Sequence, residues 1–154
     1  MIRIDRLLMK KNEFAVLLGM GGLLPFIGLS LMTTSLDQSL VKQSVQALVL
    51  YGGLILTFVG ALHWGAMLSV PHIRIEPARL RMFWSVLPQL YAWGVLLMPA
   101  PKALPLLALG LVLSWLVDLY FYRAQGNLGW FIKLRSALTL VATVSLLFAW
   151  YKIK

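Results

Sequence analysis

Apolar residues run along the chain in five long stretches divided by short polar segments, without the residue-by-residue alternation of a half-buried or barrel strand. The stretches cover approximately residues 13–32, 45–70, 82–98, 103–122 and 130–151. A helix rises about 1.5 Å per residue and the hydrocarbon core of a bilayer is about 30 Å thick, so a crossing takes about 20 apolar residues. Each stretch approaches or exceeds that length, the third being the shortest. Backbone groups left unsatisfied in lipid cost several kcal/mol each, which leaves helix as the state for all five. The pattern predicts an all-α polytopic membrane protein. Residues 1–154 would form a single membrane domain, a compact bundle of five transmembrane helices.

The intervening segments read as loops. Thr33 to Ser44 is polar and holds Asp37 and Lys42, and Pro71 to Arg81 contains Pro71 and Pro77, which cannot continue a regular helix. Pro99, Pro101 and Pro105 bracket a very short turn, and Arg123 to Gly129 includes Gly126, Asn127 and Gly129. Connections this short force successive helices to run antiparallel as neighbours.

Orientation follows from the flanking cations. One side carries Arg3, Arg6, Lys10, Lys11, Arg74, Arg79, Arg81, Arg123, Lys133 and Arg135; the other carries Lys42, Lys102, Lys152 and Lys154. Ten against four places the N-terminus in the cytoplasm and, with an odd number of spans, the C-terminus in the periplasm. Trp84, Tyr122, Trp130, Trp150 and Tyr151 lie near the predicted ends, as an interfacial belt requires. The first apolar stretch exceeds the 7 to 15 residues of a signal-peptide core and no Ala-x-Ala site follows it, so it is expected to remain uncleaved. A bacterial inner membrane is the simplest home, with the mitochondrial inner membrane as the alternative.

Composition agrees with this picture. Hydrophobic residues make up 60% of the chain and charged ones 12%, against roughly half and a quarter in soluble domains. Lipid must therefore replace water over much of the exterior, which makes membrane lipids the first partner. The net charge of +9 would suggest nucleic acid in a soluble protein. Here the cations separate apolar stretches, where they set topology and meet anionic headgroups, and no nucleic-acid surface is expected. The absence of cysteine excludes disulfides, thiolate metal sites and cysteine nucleophiles.

Small residues supply a packing code. Gly53, Thr57, Ala61 and Gly65 recur every four residues in the second span, and Gly110 and Ser114 line up with Asp118 in the fourth. Ionisable residues inside spans are rarer, because burying one costs at least about 2.5 kcal/mol. Asp118 and Arg135 lie at matching depth on adjacent antiparallel helices and are expected to pair. His63 and Gln89 fall about 10 Å inside their own spans, so that the four residues define a polar layer in the cytoplasmic half. Such a layer could hold a headgroup, a quinone or a proton, or simply specify packing through mutual hydrogen bonds.

Several chemistries lack their residues. Haem between helices needs two axial ligands, and His72, the only other histidine, follows Pro71 in a loop. No Glu follows His63 to begin a His-Glu-x-x-His metalloprotease site, and neither a phosphate-binding glycine loop with Lys nor a Gly-x-Ser-x-Gly elbow occurs. With one acid deep in a span, paired carboxylates are missing too. No catalytic residue, cofactor or metal site is expected, and the chain is read as non-enzymatic.

Tyr51-Gly52, Gly60-Ala61-Leu62-His63-Trp64-Gly65, Ser85-Val86-Leu87-Pro88, Ala92-Trp93, Trp130, Leu134-Arg135 and Leu138-Thr139 carry a resemblance to a known family. Together they resemble the small multi-span membrane proteins of domain of unknown function 3429, the transmembrane protein 69-like family. The resemblance runs from the first span to the fifth and implies the same five-span architecture. It draws attention to Tyr51, Gly52, Gly60, His63, Trp64, Gly65, Pro88, Trp93, Trp130 and Arg135 as motif positions, and carries with it no activity or cofactor. Three functions compete. The first is an accessory subunit or assembly or stability factor, partnered by another membrane protein or a second copy of the chain. The second is a small transporter or proton-linked permease using the polar layer, with Pro25 and Pro88 interrupting helices beside it. The third is a lipid- or quinone-binding protein.

Overall fold

The computed structural model describes residues 13–68, 75–122 and 129–154, with side chains in the second block from residue 79 onward. Arg3, Arg6, Lys10, Lys11, Pro71, His72, Arg74, Arg123, Gly126 and Asn127 lie outside the described residues. Among those described, all regular structure is helical. The helices are α1 (residues 13–21), α2 (Leu24–Met32), α3 (Gln38–Leu68), α4 (Ile75–Leu96), α5 (Ala100–Tyr122) and α6 (Gly129–Ile153). Helix α3 is the hub and packs against α2, α4, α5 and α6.

Helices α1 and α2 together form one candidate crossing, Glu13–Met32, broken at Gly22 and Leu23. Pro25 sits in the first turn of α2, where its missing N–H leaves the Gly21 carbonyl without a helical donor. The Tyr51 hydroxyl on α3 donates to the neighbouring Gly22 carbonyl at 2.8 Å and stitches the break to the bundle.

Among the described residues, four helices are long and apolar enough to cross a membrane: Glu13–Met32, Gln38–Leu68, Ala100–Tyr122 and Gly129–Ile153. Between 17% and 44% of their most apolar windows is buried in the chain, so the rest of each window keeps apolar surface for another apolar medium. Helix α4 is not among the four. Glu76, Arg79 and Arg81 occupy its first turns, and its uncharged remainder, residues 82–96, spans only about 22 Å at 1.5 Å per residue.

Three predicted boundaries shift for physical reasons. Helix α3 starts at Gln38, seven residues before the expected Val45, because Asp37 caps it: its Oδ1 accepts from the Ser39 N–H at 2.8 Å. Helix α4 starts at Ile75, so Arg81 belongs to a helix and not to a loop; Pro77 falls in its first turn, where a backbone N–H has no helical partner to lose. Helix α5 starts at Ala100, with Pro101 in its first turn and Pro105 inside it, which confines the α4–α5 turn to residues 97–99.

Buried positions on α3 recur at Val45, Leu48, Val49, Gly52, Gly53, Leu56, Val59, Gly60 and His63. The expected four-residue stripe follows this face only at Gly53. Each step of four turns about 40° past a full circle, so Ala61 and Gly65 have rotated to the exposed side. Gly60 takes over the close approach instead: a Cβ there would lie 2.8 Å from the Ser85 carbonyl oxygen and 3.2 Å from the Pro88 ring. The shorter series on α5 stays inside, with Gly110, Ser114 and Asp118 all buried. Leu48, Leu56, Leu104, Leu107, Leu111 and Leu146 fill the space between α3, α5 and α6.

Candidate functional site

The C-terminal ends of α3 and α5 and the N-terminal ends of α4 and α6 share one end of the bundle. His63 lies five residues before Leu68, Arg81 six after Ile75, Asp118 four before Tyr122 and Arg135 six after Gly129. At 1.5 Å per residue, all four sit about 6 to 9 Å inside their helix ends. Four helices thus bring one polar side chain each to the same level.

Asp118 is the centre. Its Oδ2 accepts from Arg135 Nε at 2.7 Å, and its Oδ1 lies 2.9 Å from His63 Nε2. The second contact is short but off-line, and among the described residues neither His63 Nε2 nor Asp118 Oδ1 has a well-directed hydrogen bond. We read it as an electrostatic contact, since the distance is that of a bonded pair while the angle is not. Arg81 Nε donates to His63 Nδ1 at 3.2 Å. That bond needs a lone pair on Nδ1, so the imidazole carries its proton on Nε2, facing the carboxylate. Arg135 Nη1 donates to Thr139 Oγ1, one turn further along α6, at 2.9 Å.

The array Arg81–His63–Asp118–Arg135–Thr139 links α4, α3, α5 and α6 in that order. His63 is fully buried, Asp118 is 2% exposed, and Arg81 and Arg135 are 5% and 6% exposed. Aromatic rings cover its Arg81–His63 end: Tyr122 stacks on His63, with ring centroids 5.6 Å apart, Phe121 meets the imidazole edge-on, and the Arg81 guanidinium carbon lies 4.5 Å from the Tyr122 ring centre. Tyr122 therefore turns inward and caps the array instead of joining an interfacial belt. The array sets two arginines against one described carboxylate, which contacts Arg135 and His63 but not Arg81, and among the described residues Arg81 Nη2 and Arg135 Nη2 have no hydrogen-bond acceptor.

Of the four residues expected in a polar layer, His63, Asp118 and Arg135 come together. Gln89 does not: it is exposed on the outer side of α4. The inward stripe of that helix is Arg81, Ser85, Pro88, Ala92 and Val95, and Gln89 is rotated about 100° from Pro88. Arg81 takes its place in the array. Pro88 leaves α4 continuous. Among the motif positions, Gly52, Gly60, His63, Pro88 and Arg135 are buried, Tyr51 and Trp130 are half-buried, and Trp64, Gly65 and Trp93 are exposed. Among the described residues no group of three or more His, Asp or Glu side chains could hold a metal ion.

Long apolar helices around an enclosed charged array define a multi-pass helical membrane protein. The chain belongs to the family described as protein of unknown function (DUF3429), whose profile matches residues 11–151. It is 32% identical over 135 residues to transmembrane protein 69 of Xenopus tropicalis, an alignment covering 86% of this chain and 51% of that protein. The chain thus spans about half the length of this curated relative. No solved structure matches it.

Proposed function

We propose that the chain is a non-enzymatic, five-span protein of the bacterial inner membrane that serves as an accessory subunit or an assembly or stability factor of a larger membrane complex. The observation that carries this reading is the burial of the array: His63 and Asp118 are at most 2% exposed, Arg135 is held by Asp118, and Arg81 is held by His63 and covered by the Tyr122 and Phe121 rings. Reaction or transport at His63 and Asp118, neither of which lines the cavity beside Arg135, would require access that the packing opposes. A proton-linked permease has correspondingly less support, since Gln89 faces outward and Pro88 does not interrupt its helix.

Helix α4 supplies the fifth crossing in this reading. Arg81 is folded inward onto His63 and the Tyr122 ring, so the segment from Arg81 to Leu96 presents no charge to lipid, and exposed Arg79 lies close enough to the helix end to reach the headgroups. With Arg81 and Arg135 assigned to the array, eight flanking cations remain on the proposed cytoplasmic side against four on the other. The bias still favours a cytoplasmic N-terminus and a periplasmic C-terminus.

Purification of the tagged protein from its native membrane in mild detergent tests the role. A reproducible set of co-purifying membrane proteins is expected, and recovery without any constant partner contradicts it. Reporter fusions at the two chain ends test the topology, which requires opposite faces.

A further inference from the structure

A cavity of about 400 Å³ lies between α1 and α2 on one side and α3, α5 and α6 on the other. Its size falls within the range of small-molecule sites, about 300–1,000 Å³. The wall is hydrocarbon, with Gly19, Phe26, Phe58 and Leu138 among its residues and Trp130 in the wall as well. Arg135 and Thr139 are its other polar side chains, and both belong to the buried array.

Three features of that polar end call for an acceptor. Arg135 is 6% exposed, yet its Nη2 has no partner among the described residues. The Thr139 oxygen accepts from Arg135 Nη1, while its own hydroxyl proton has no acceptor among the described residues. Behind Arg135, the array holds two guanidinium groups against one described carboxylate, the second being Arg81, which has no described carboxylate contact and does not itself line the cavity. A neutral acceptor would answer the first two features, whereas an anion answers all three. Because the cavity opens among helices whose outer surfaces are apolar, its occupant is drawn from the bilayer.

We infer that this cavity binds an anionic amphiphile from the membrane. A hydrocarbon chain lies along the Phe26, Phe58 and Leu138 wall, and carboxylate or phosphate oxygens meet Arg135 and Thr139. The two head chemistries share the same requirement, acceptor oxygens with a negative charge. Binding stands apart from the accessory role: a chain with no partner protein would still show it.

Trp130 in the wall supplies the readout. Dibrominated stearic acid, whose bromines quench indole fluorescence on contact, is titrated into the detergent-purified chain. Saturable quenching is expected, with the saturable part lost in Trp130→Phe. Competition by oleic acid identifies a free carboxylate as the favoured head, and competition by phosphatidylglycerol a phosphate. Thr139→Val keeps the side-chain shape and removes the hydroxyl, so affinity should weaken about tenfold, as expected for loss of a hydrogen bond to a charged group. The wild-type competition stands even if that variant fails to fold. Quenching that never saturates, or that a neutral decyl quinone abolishes while oleic acid and phosphatidylglycerol do not, overturns the inference.

Discussion

Arg81 Nε donates to His63 Nδ1 at 3.2 Å, and this turns the remaining imidazole N–H toward Asp118. A histidine thereby links a cation that has no described carboxylate of its own to Asp118, the one buried carboxylate among the described residues. It also ties the least apolar helix, α4, to the helices that are long enough to cross a bilayer unaided. The guanidinium is held by ring faces as much as by the hydrogen bond, its carbon lying 4.5 Å from the Tyr122 ring centre and 5.5 Å from that of Phe121.

Arg81→Lys should therefore not be conservative. An ammonium keeps the charge but loses the planar fork and the stacked face, and desolvated cation–π contacts are worth about 2 kcal/mol. Thermal unfolding in detergent is expected to show a loss of about 1–2 kcal/mol. Arg79→Lys, at an exposed position on the same helix, should change stability by less than about 0.5 kcal/mol.

The α3–α4 interface depends on one missing methyl group. Gly60→Ala would put a Cβ 2.8 Å from the Ser85 carbonyl oxygen, a backbone atom that cannot swing aside. Overpacking of this kind costs about 1–3 kcal/mol. Gly94→Ala meets nothing within 4 Å and should stay within about 0.5 kcal/mol of the parent chain in the same unfolding assay.

The exposed cap of α3 gives a pH dependence whose sign is fixed. The Ser39 backbone N–H holds the Asp37 carboxyl below its ordinary value of 3.8, aided by the Ser39 side chain and the Leu40 N–H. Because the folded pKa is depressed, the cap contributes fully above the unfolded value and is lost as pH falls through the folded one. Amide hydrogen exchange at Ser39 and Leu40, corrected for intrinsic rates, should lose protection on acidification below that point. Asp37→Asn should retain the cap and abolish the pH dependence.

Helical state and the Asp118–Arg135 match could be read from the chain because both depend on local spacing: a run of about 20 apolar residues, and two charges a similar distance from a shared turn. Arg81 escaped because the third apolar stretch starts at Met82, so that a cation one residue outside it counts as a flanking charge. The signal that would have found it is the stripe Arg81, Ser85, Pro88, Ala92 and Val95, which follows helical spacing across that boundary and leaves Gln89 on the other face. The Gly53, Thr57, Ala61, Gly65 series failed for a related reason, since a strict period of four leaves any one face within a few turns. The cavity between α1–α2 and α6 had no signature in spacing at all. It arises from the break at Gly22 and Leu23 and from how the two half-helices lean on α3 and α6, which is a matter of tertiary packing.

The core of the account is that Asp118 and Arg135 stabilise the bundle as a pair within a buried array. A double-mutant cycle with Asp118→Leu and Arg135→Met, read as unfolding free energy in detergent micelles, measures this directly. Each single change strands a buried charge and should cost about 3–5 kcal/mol, while the double change should cost less than the sum by about 2 kcal/mol or more. Effects that simply add, to within about 0.5 kcal/mol, would contradict it.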